Sequence, residues 1–462
     1  MRSVFALQRD AFGRAQYPDA ATRDRWLAAL GRLLHENSDA IAAAIARDFG
    51  HRSHHETELL EIFPCLEAVV HARRNLRSWM KPERRRVSLW FQPGRAEVFA
   101  QPLGVVGIVV PWNYPIYLAV GPLVGALAAG NRAMVKMSEL TPATGALFAA
   151  LVAKHFRADE VCVLNGDVAI ARAFAELPFD HLLFTGSTAV GRAVMRAAAD
   201  NLTPVTLELG GKSPAILGPD YPAAAAAERI LVGKCLNAGQ TCIAPDYALV
   251  PEARVREFAD AAARVVNECY PDPMRSPDYT AIVNDRHFAR LAGYLDEAHA
   301  RGAQVRSLVP EAVPDPATRR FPPTLVTYAP DDCRLMREEI FGPILPVVAY
   351  RDLEDAIAYV NARPRPLALY YFDRDERRIA RVLADTVAGG VTINDTILHI
   401  AQERLPFGGV GPSGMGEYHG RDGFDAFSKR KPVFRQARLN AIGLFNPPYG
   451  KRFERLMRLL LR

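Results

Sequence analysis

The first apolar pattern in the chain has the period of an α-helix. Two groups of residues between positions 20 and 48 fall at helical spacing: Trp26, Leu27, Leu30, Leu33 and Leu34, then Ile41, Ala44 and Ile45. They predict two helices, with Ser38 as the N-cap of the second and Gly50 directly after its end. A further helix is predicted from about 56 to 79, with a kink at Pro64.

Over residues 86–100 the pattern changes to a period of two. Val87, Leu89 and Phe91 alternate with polar or outward-facing residues, and the Gln-Pro-Gly sequence at 92–94 has the composition of a turn. This alternation on both sides of a turn predicts a β-hairpin.

Strand patterns and helix patterns alternate over the rest of the chain. Strands are predicted at 105–110, 133–137, 161–164, 182–185, 205–209, 246–250, 323–328, 344–350, 367–372 and 391–394. Helices are predicted at 117–129, 142–155, 168–177, 188–200, 222–238, 252–268, 284–301, 353–362 and 376–387. Short apolar strands that alternate with helices indicate parallel sheets covered on both faces. The expected fold class is therefore α/β, with two successive α/β domains.

The composition is that of an ordinary globular protein. The 462 residues suffice for about three domains, and 49% apolar with 23% charged residues argues against a wholly disordered, collagen-like or coiled-coil chain. The six cysteines form no CxxC pair, which argues against a zinc ribbon or a disulfide framework. The net charge of +6 is small. It suits an anionic cofactor and gives little support to nucleic-acid binding.

Three segments bear on location and on metals. The N-terminus contains no apolar h-region, so we do not expect secretion. We expect a cytoplasmic location instead. The run from Val98 to Asn131 has no charged residue, but prolines interrupt it, and it predicts a buried strand and helix rather than a membrane span. The histidine cluster at 51–58 lacks the HExxH motif, so an exposed turn is expected there and no metal site.

One strand-to-helix turn offers a place for a phosphate group. The strand that ends at Thr185 runs into Gly186, Ser187 and a helix that contains Gly191. The free N–H groups at the N-terminus of a helix suit a pyrophosphate. The segment lacks the lysine of a nucleotide-triphosphate loop, and a tight turn without a ligand is the alternative.

Three polar residues are candidates for chemistry, each with a structural alternative. Glu208 ends an apolar strand, where burial would raise its pKa towards the range of a general base; the alternative is an ion pair with Lys212. Cys242 follows Gly-Gln-Thr at the end of a predicted helix and is a candidate nucleophile; the alternative is a buried structural cysteine, as for Cys235. Asn113 follows a strand at the edge where open α/β sheets bind ligands. Its amide suits an oxyanion, and an Asx-turn is the alternative.

Taken in order, seven motifs resemble those of the aldehyde dehydrogenase superfamily over nearly the whole chain. They are Pro-Trp-Asn-Tyr-Pro at 111–115, Lys-Met-Ser-Glu at 136–139, Phe-Thr-Gly-Ser-Thr-Ala-Val-Gly at 184–191, Glu-Leu-Gly-Gly-Lys-Ser-Pro at 208–214, Gly-Gln-Thr-Cys at 239–242, Glu-Glu-Ile-Phe-Gly-Pro at 338–343 and Pro-Phe-Gly-Gly at 406–409. The separation of Glu208 from Cys242 also matches that family. Within it, the segments 242–247 and 394–399 are similar to the class 3 branch, and Pro122 replaces a lysine of many members, a departure that the branch shares. The segments 114–118 and 409–416 are most similar to bacterial coniferyl aldehyde dehydrogenases.

The resemblance implies oxidation of a hydrophobic or aromatic aldehyde to the carboxylate. It implies Cys242 as the nucleophile, the amide of Asn113 and the backbone N–H of Cys242 as the oxyanion hole, and Glu208 as the base that activates the hydrolytic water. Tyr117 lies on the helix that lines the aldehyde tunnel in the family, so it is a candidate to stack on an aromatic substrate; a core tyrosine is the alternative.

The cofactor that the resemblance implies is NAD, with NADP as an alternative, and no metal is implied. The residues implied to hold it are Lys136 and Glu139 at the adenosine ribose, Gly186, Ser187 and Gly191 at the pyrophosphate, Glu339 at the nicotinamide ribose and Phe341 beside the nicotinamide. Glu139 favours the 2′-hydroxyl of NAD, although class 3 members often accept NADP.

The resemblance also implies a domain organisation and a homodimer. The expected parts are a Rossmann-like NAD-binding domain at 1–85 and 101–209, a catalytic domain at 210–412, a β oligomerisation arm at 86–100 and 425–440, with its second strand near 428–437, and a C-terminal tail at 441–462. The tail is expected to dock on the partner subunit, with a membrane surface as the alternative.

Three other functions remain open from the sequence. They are a class 3 dehydrogenase for fatty or medium-chain aldehydes, an acylating relative, and an inactive NAD-binding scaffold. Glu208 argues against the acylating relative, which needs no hydrolytic water. Intact Cys242, Glu208 and Asn113 together argue against the scaffold.

Overall fold

The computed structural model describes residues 1–461, and its helices and strands confirm an α/β fold. The helices are α1 Arg2–Arg14, α2 Ala20–Glu36, α3 Ser38–Phe49, α4 His54–Thr57, α5 Phe63–Trp79, α6 Tyr117–Ala129, α7 Pro142–His155, α8 Val168–Ala175, α9 Thr188–Ala199, α10 Ala223–Cys235, α11 Val255–Cys269, α12 Asp285–Ala300, α13 Arg334–Arg337, α14 Leu353–Asn361, α15 Glu376–Asp385, α16 Gly420–Ala426 and α17 Lys451–Leu460. The strands are β1 Glu83–Arg85, β2 Arg95–Pro102, β3 Val105–Val109, β4 Arg132–Lys136, β5 Val161–Leu164, β6 His181–Thr185, β7 Val205–Glu208, β8 Pro214–Leu217, β9 Tyr247–Pro251, β10 Gln304–Ser307, β11 Thr324–Thr327, β12 Ile344–Tyr350, β13 Ala368–Phe372, β14 Gly390–Ile393, β15 Gly414–Met415 and β16 Ser428–Arg435.

The first sheet has the order β15-β7-β6-β3-β4-β5. Its five longer strands are parallel, and the short edge strand β15 pairs antiparallel with β7. Parallel strands place all their carboxyl ends at one edge, so the loops after β3, β4, β6 and β7 emerge together. The elements predicted between 105 and 209 are present within two residues of their predicted ends.

The second sheet has the order β10-β11-β12-β9-β8-β13-β14. It is parallel except for the edge pair β10 and β11. The sequence did not predict β8, because Pro214 to Leu217 follows directly on the Glu-Leu-Gly-Gly-Lys-Ser-Pro motif. In the structure the four residues of β8 are buried in the centre of this sheet.

A third, small sheet joins β1, β2 and β16, and here the predicted hairpin is partly wrong. Strand β1 precedes the predicted segment, whereas Leu89 to Phe91 forms a 3₁₀ turn rather than a strand. Leu89, Trp90 and Phe91 are exposed by 73%, 55% and 46%, so the alternating apolar residues bury no common face in this chain. The second strand of the arm, predicted near 428–437, is β16, which pairs with β2 along its whole length.

The N-terminal helices are present with two local corrections. The second of the predicted helices is α3. It begins at Ser38 itself, and Asn37 takes the N-cap position without a capping side-chain bond. The expected kink at Pro64 is instead a π-helical turn, Glu58–Ile62, just before α5. Pro64 follows this turn, at the second residue of α5.

The uncharged run from Val98 to Asn131 lies in the core, as predicted. It forms the end of β2, β3 and α6, and the residues of α6 other than Gly121 are buried. Within residues 1–461, no helix has the length and apolar character needed to cross a membrane. His54 and His55 lie by the carboxylate of Glu58 on the solvent-exposed start of α4.

Candidate active site

The predicted site residues of the first sheet meet at its carboxyl edge. Asn113 lies in the loop after β3, Lys136 ends β4, Ser187 follows β6 and Glu208 ends β7. Cys242 approaches this edge from the other sheet, in the loop between α10 and β9. The parallel topology therefore brings four separate segments to one place.

A strained turn carries Cys242 to this edge. After α10 the chain makes a 3₁₀ turn in which Asn237, Ala238 and Gly239 have φ of 52°, 50° and 73°. A Cβ on Gly239 would lie 2.3 Å from the carbonyl oxygen of Gly342, so only glycine fits there. Gln240 fixes the loop: its amide donates to the carbonyls of Asn237 and Ala281 at 3.0 Å each. Backbone strain of this kind is typical of functional sites.

The Cys242 thiol is half-buried and forms no disulfide. Burial raises its pKa to about 12, and the negative charges of Glu339 and Glu208 add to that rise. Two carboxylates thus flank the sulfur, and the thiol is largely protonated near neutral pH. A positive charge placed beside the sulfur would lower this pKa.

Glu208 is buried and stands opposite Gly414 of β15. Neither of its carboxylate oxygens has a hydrogen-bond partner among residues 1–461. Burial raises its pKa well above the usual value, and the charge of Glu417 raises it further. The alternative of an ion pair with Lys212 is wrong, because Lys212 pairs with Asp246 instead.

Asn113 is buried, and its side-chain N–H donates to the carbonyl of Gln240 at 3.1 Å. This bond ties the loop after β3 to the Cys242 loop, so the Asx-turn alternative is wrong. The second N–H of the amide makes no hydrogen bond within residues 1–461. Its backbone carbonyl accepts from Arg52 at 2.9 Å and from the Asn237 amide at 3.0 Å.

The turn after β6 has the features of a phosphate site. Ser187 caps α9 by accepting the backbone N–H of Val190 at 3.4 Å, and its side chain is exposed. A Cβ on Gly191 would lie 2.6 Å from a methyl of Leu209, so glycine lets α9 pack closely on the end of β7. A Cβ on Gly186 would likewise lie 2.6 Å from the Phe184 ring.

The end of β4 places a lysine and a glutamate beside this turn. The Nζ atom of Lys136 donates to the carbonyls of Met137 at 2.7 Å and Gly166 at 2.9 Å, which leaves one N–H for a ligand. Burial lowers its pKa, and the charge of the exposed Glu139 opposes that shift. An ammonium with one spare donor next to an exposed carboxylate suits a pair of ribose hydroxyls.

Glu339 and Phe341 border the space between the two sheets. The Glu339 carboxylate packs on Gly210, where a Cβ would lie 2.1 Å from its Oε2 atom. Its Oε1 atom is buried without a partner among the described residues, and burial, then Asp246, raises its pKa to about 8. Phe341 has a φ of 50°, and its ring lies 5.4 Å from that of Trp112.

Tyr117 is a core residue that also faces a cavity. It is buried in the core, and its hydroxyl lies 3.2 Å from Nε2 of His419. It also lines a cavity of about 710 Å³ between α5, α6, α10 and the loop after β14. Burial raises the pKa of its hydroxyl, and the charges of Glu403 and Cys242 add to that rise.

Two groups that support the site were not predicted. Arg52 and Glu61 form an ion pair at 2.9 Å, and both side chains are fully buried. Glu61 also accepts the backbone N–H groups of Ile116 and Tyr117, which fixes the start of α6. The one indication in the sequence is that Glu61, a charged residue, lies on the apolar side of the helix predicted at 56–79.

A nucleophilic thiol, a buried carboxylate, an amide donor and a helix N-terminus at the carboxyl edge of a Rossmann-like sheet define a class of protein. It is a nicotinamide-dependent oxidoreductase with a cysteine nucleophile. The family model described as "Aldehyde dehydrogenase family" matches residues 2–433. The chain therefore belongs to the aldehyde dehydrogenase family, and it is an NAD(P)-dependent aldehyde dehydrogenase.

Several relatives agree with this membership. A probable coniferyl aldehyde dehydrogenase of Pseudomonas aeruginosa is 56% identical over 457 residues, covering 99% of this chain and 95% of the relative. The coniferyl aldehyde dehydrogenase of Pseudomonas sp. HR199 is 47% identical, covering 93% of this chain and 89% of the relative. Among solved structures, the substrate-bound state of Staphylococcus aureus AldH has a TM-score of 0.94 at 38% identity and covers 99% of both chains. An indole-3-acetaldehyde dehydrogenase in complex with NAD⁺ has a TM-score of 0.86 at 25% identity, covering 94% of this chain and 88% of that one.

Proposed function

We propose that the physiological substrate is an aromatic aldehyde of the coniferaldehyde type, oxidised to its carboxylate. One observation carries this proposal: Tyr117, at the start of the helix that follows the Asn113 loop, lines the 710 Å³ cavity. A tyrosine at the inner wall can stack on the ring of a phenylpropenal. The names of the relatives from Pseudomonas support the same substrate class.

The first half of the reaction uses Cys242 and Asn113. The Cys242 thiolate attacks the aldehyde carbon, a C–S bond forms, and the carbonyl oxygen becomes an oxyanion. The free N–H of the Asn113 amide and the backbone N–H of Cys242 donate to that oxygen. When bound, NAD(P)⁺ would supply the hydride acceptor, and loss of hydride from the carbon leaves a thioester on Cys242.

The second half uses Glu208 as a base. Its buried carboxylate takes a proton from water, and the resulting hydroxide attacks the thioester carbon. The C–S bond then breaks, the carboxylate product leaves and the Cys242 thiolate is restored. A carboxylate with both oxygens free and a raised pKa suits this step, because a higher pKa makes the carboxylate a stronger base.

Seven residues fit a nicotinamide dinucleotide in the places that the family implies. We propose that Lys136 and Glu139 bind the adenosine ribose, that the turn of Gly186, Ser187 and Gly191 holds the pyrophosphate, and that Glu339 and Phe341 bind the nicotinamide end. The spare N–H of Lys136 and the unpartnered Oε1 of Glu339 support this assignment. The exposed carboxylate at 139 favours NAD over NADP, because it would repel a 2′-phosphate.

A second substrate class has its own observation. The rim of the cavity carries the apolar side chains Leu59, Phe63 and Leu398, which are 59%, 57% and 50% exposed. An apolar rim also suits a fatty or medium-chain aldehyde, the alternative within the same branch. The inactive scaffold is not favoured, since Cys242, Glu208 and Asn113 are assembled around one point.

We further propose the assembly and location that the sequence predicted. The exposed apolar turn at 89–91 and the free edge of the small sheet support a homodimer formed through this arm. The helix α17 buries none of its residues on its own chain, which supports docking on the partner subunit.

Six unpaired cysteines support a reducing compartment such as the cytoplasm. The first two sheets correspond to the proposed NAD-binding and catalytic domains.

A kinetic panel tests the proposed substrate. The assay measures the reduction of NAD⁺ by its absorbance, in the absence of coenzyme A. We expect kcat/KM for coniferaldehyde to be higher than for benzaldehyde or hexanal. A strong preference for hexanal would overturn the aromatic assignment in favour of the medium-chain alternative. A requirement for coenzyme A would indicate an acylating enzyme instead.

A further inference from the structure

The cavity beside Tyr117 has two chemically different parts. Its rim is apolar, whereas one wall carries Glu67 and His71 from α5 and Glu403 from the loop after β14. Glu67 and His71 lie one helical turn apart on the same face of α5. An acyl chain needs no such polar wall.

The His71 ring and the backbone of Glu403 both approach Gly420. A Cβ on Gly420 would lie 3.3 Å from Nε2 of His71 and 2.0 Å from the backbone oxygen of Glu403. Glu403 is also the first charge that acts on the hydroxyl of Tyr117. The polar wall and Tyr117 therefore line the same cavity.

Glu403 has unused hydrogen-bonding capacity. It is half-buried and forms no ion pair within residues 1–461. Burial raises its pKa to about 7, opposed by a backbone bond from Gly420 and assisted by the charge of Glu67. Burial, with the charges of Arg404 and Arg74, lowers the pKa of His71, so its ring is neutral near pH 7 and can either donate or accept.

We propose that Glu403 and His71 bind a hydroxyl group on the aromatic ring of the substrate, so that the cavity selects hydroxyaryl aldehydes. The inference rests on the proposed oxidation of aromatic aldehydes and names the group that is recognised. A site built to bind a hydroxyl rejects an analogue without it, because the buried polar group is then left unpaired. An alkanal or a methylated ring cannot donate this hydrogen bond to Glu403.

Three aldehydes with the same propenal chain test this selection. They are coniferaldehyde, which carries a ring hydroxyl, 3,4-dimethoxycinnamaldehyde, in which that hydroxyl is methylated, and cinnamaldehyde. For the native enzyme we expect kcat/KM for coniferaldehyde to exceed the other two by about tenfold or more, the effect of one hydrogen bond to a charged group. The Glu403→Leu variant should lose this preference and keep its kcat/KM for cinnamaldehyde.

Two further variants separate recognition from folding. Glu403→Gln keeps the shape and a neutral acceptor, so part of the preference should remain, and His71→Phe keeps a ring without its nitrogens. Glu58→Gln is the control, because Glu58 pairs with His54 and His55 outside the cavity.

Two outcomes overturn the inference and leave the proposed function standing. One is a native enzyme that oxidises the three aldehydes equally well. The other is a Glu403→Leu variant that loses the same factor on all of them. If hexanal is preferred to every aromatic aldehyde, the proposed function itself is wrong, and the inference falls with it.

Discussion

The ammonium of Lys212 pairs with the carboxylate of Asp246 and makes no bond to Glu208. It also donates to the carbonyls of Leu335 and Glu338 at 2.9 Å each, so its three N–H groups are used. Glu208 is thereby left in the interior without a cation, and burial keeps its pKa high. The location of one lysine determines whether this carboxyl behaves as a base near neutral pH or as half of a structural ion pair.

The Glu208→Gln variant should form the acyl-enzyme and then stall. The amide cannot take a proton from water, whereas Cys242 and Asn113 are unchanged, so hydride transfer is retained. We expect a burst of one NADH per active site and a steady-state rate lowered by about 10²- to 10⁴-fold. Stopped-flow absorbance measures both phases. An unchanged steady-state rate would show that another group is the base.

The steady-state rate should fall at acid pH, where Glu208 becomes protonated. Its folded-state pKa is raised, so the carboxylate that the hydrolysis needs appears only as the pH rises through that pKa. Glu417 contributes a negative charge that raises the pKa further, and Glu417→Gln should therefore move the acid limb of the rate profile to lower pH. The burst amplitude is the control, because it does not depend on this base. If Glu417→Gln leaves the acid limb of the rate profile at the same pH, that limb reflects the protonation of another group.

Cys242 should be the one thiol whose alkylation abolishes activity. Cys269 is exposed and should react with iodoacetamide without loss of activity, which makes Cys269→Ser a matched control for Cys242→Ala. Since Glu339 raises the pKa of the Cys242 thiol, Glu339→Gln should increase its alkylation rate at a fixed pH. Peptide mapping with an activity assay follows both effects. Activity that survives in Cys242→Ala would exclude the thioester route.

Sequence rules predicted the site best where the parallel topology determines position. Asn113 and Glu208 follow or end apolar strands, and parallel strands place their carboxyl ends together, so their meeting was foreseeable. Cys242 needed the family motif, because a single cysteine in a sequence is more often a buried structural residue. The partner of Lys212 was not foreseeable: Asp246 lies beside it because β8, which the sequence did not predict, pairs with β9.

Sequence rules failed where the structure depends on burial and not on the local sequence pattern. Val87, Leu89 and Phe91 alternate like a strand, but on this chain no surface covers them, and the strand forms earlier, at β1. The buried pair of Arg52 and Glu61 joins a residue just before α4 to one inside the π-helical turn Glu58–Ile62, and no spacing rule pairs them. Such pairs depend on a desolvated environment that a sequence does not display.

The pair of Arg52 and Glu61 should matter for stability far more than surface pairs do. Arg52→Met leaves the Glu61 carboxylate buried without its cation, which typically costs about 3–5 kcal/mol. Asp355→Asn breaks the exposed pair with Arg351 and should leave the urea midpoint nearly unchanged. Urea unfolding followed by fluorescence compares the two variants. Equal midpoints would show that the buried pair contributes no more than a surface pair.

Tyr117 offers a ring towards the cavity and a hydroxyl towards His419, so two substitutions separate their effects. Tyr117→Ala removes both, and the loss of stacking, worth about 0.5–1.5 kcal/mol, should lower kcat/KM for coniferaldehyde about threefold to tenfold more than for hexanal. Tyr117→Phe keeps the ring and should retain most of the preference for the aromatic aldehyde. Steady-state kinetics with both aldehydes measures each ratio. Equal losses on the two substrates in Tyr117→Ala would mean that this tyrosine supports the fold and does not contact the substrate ring.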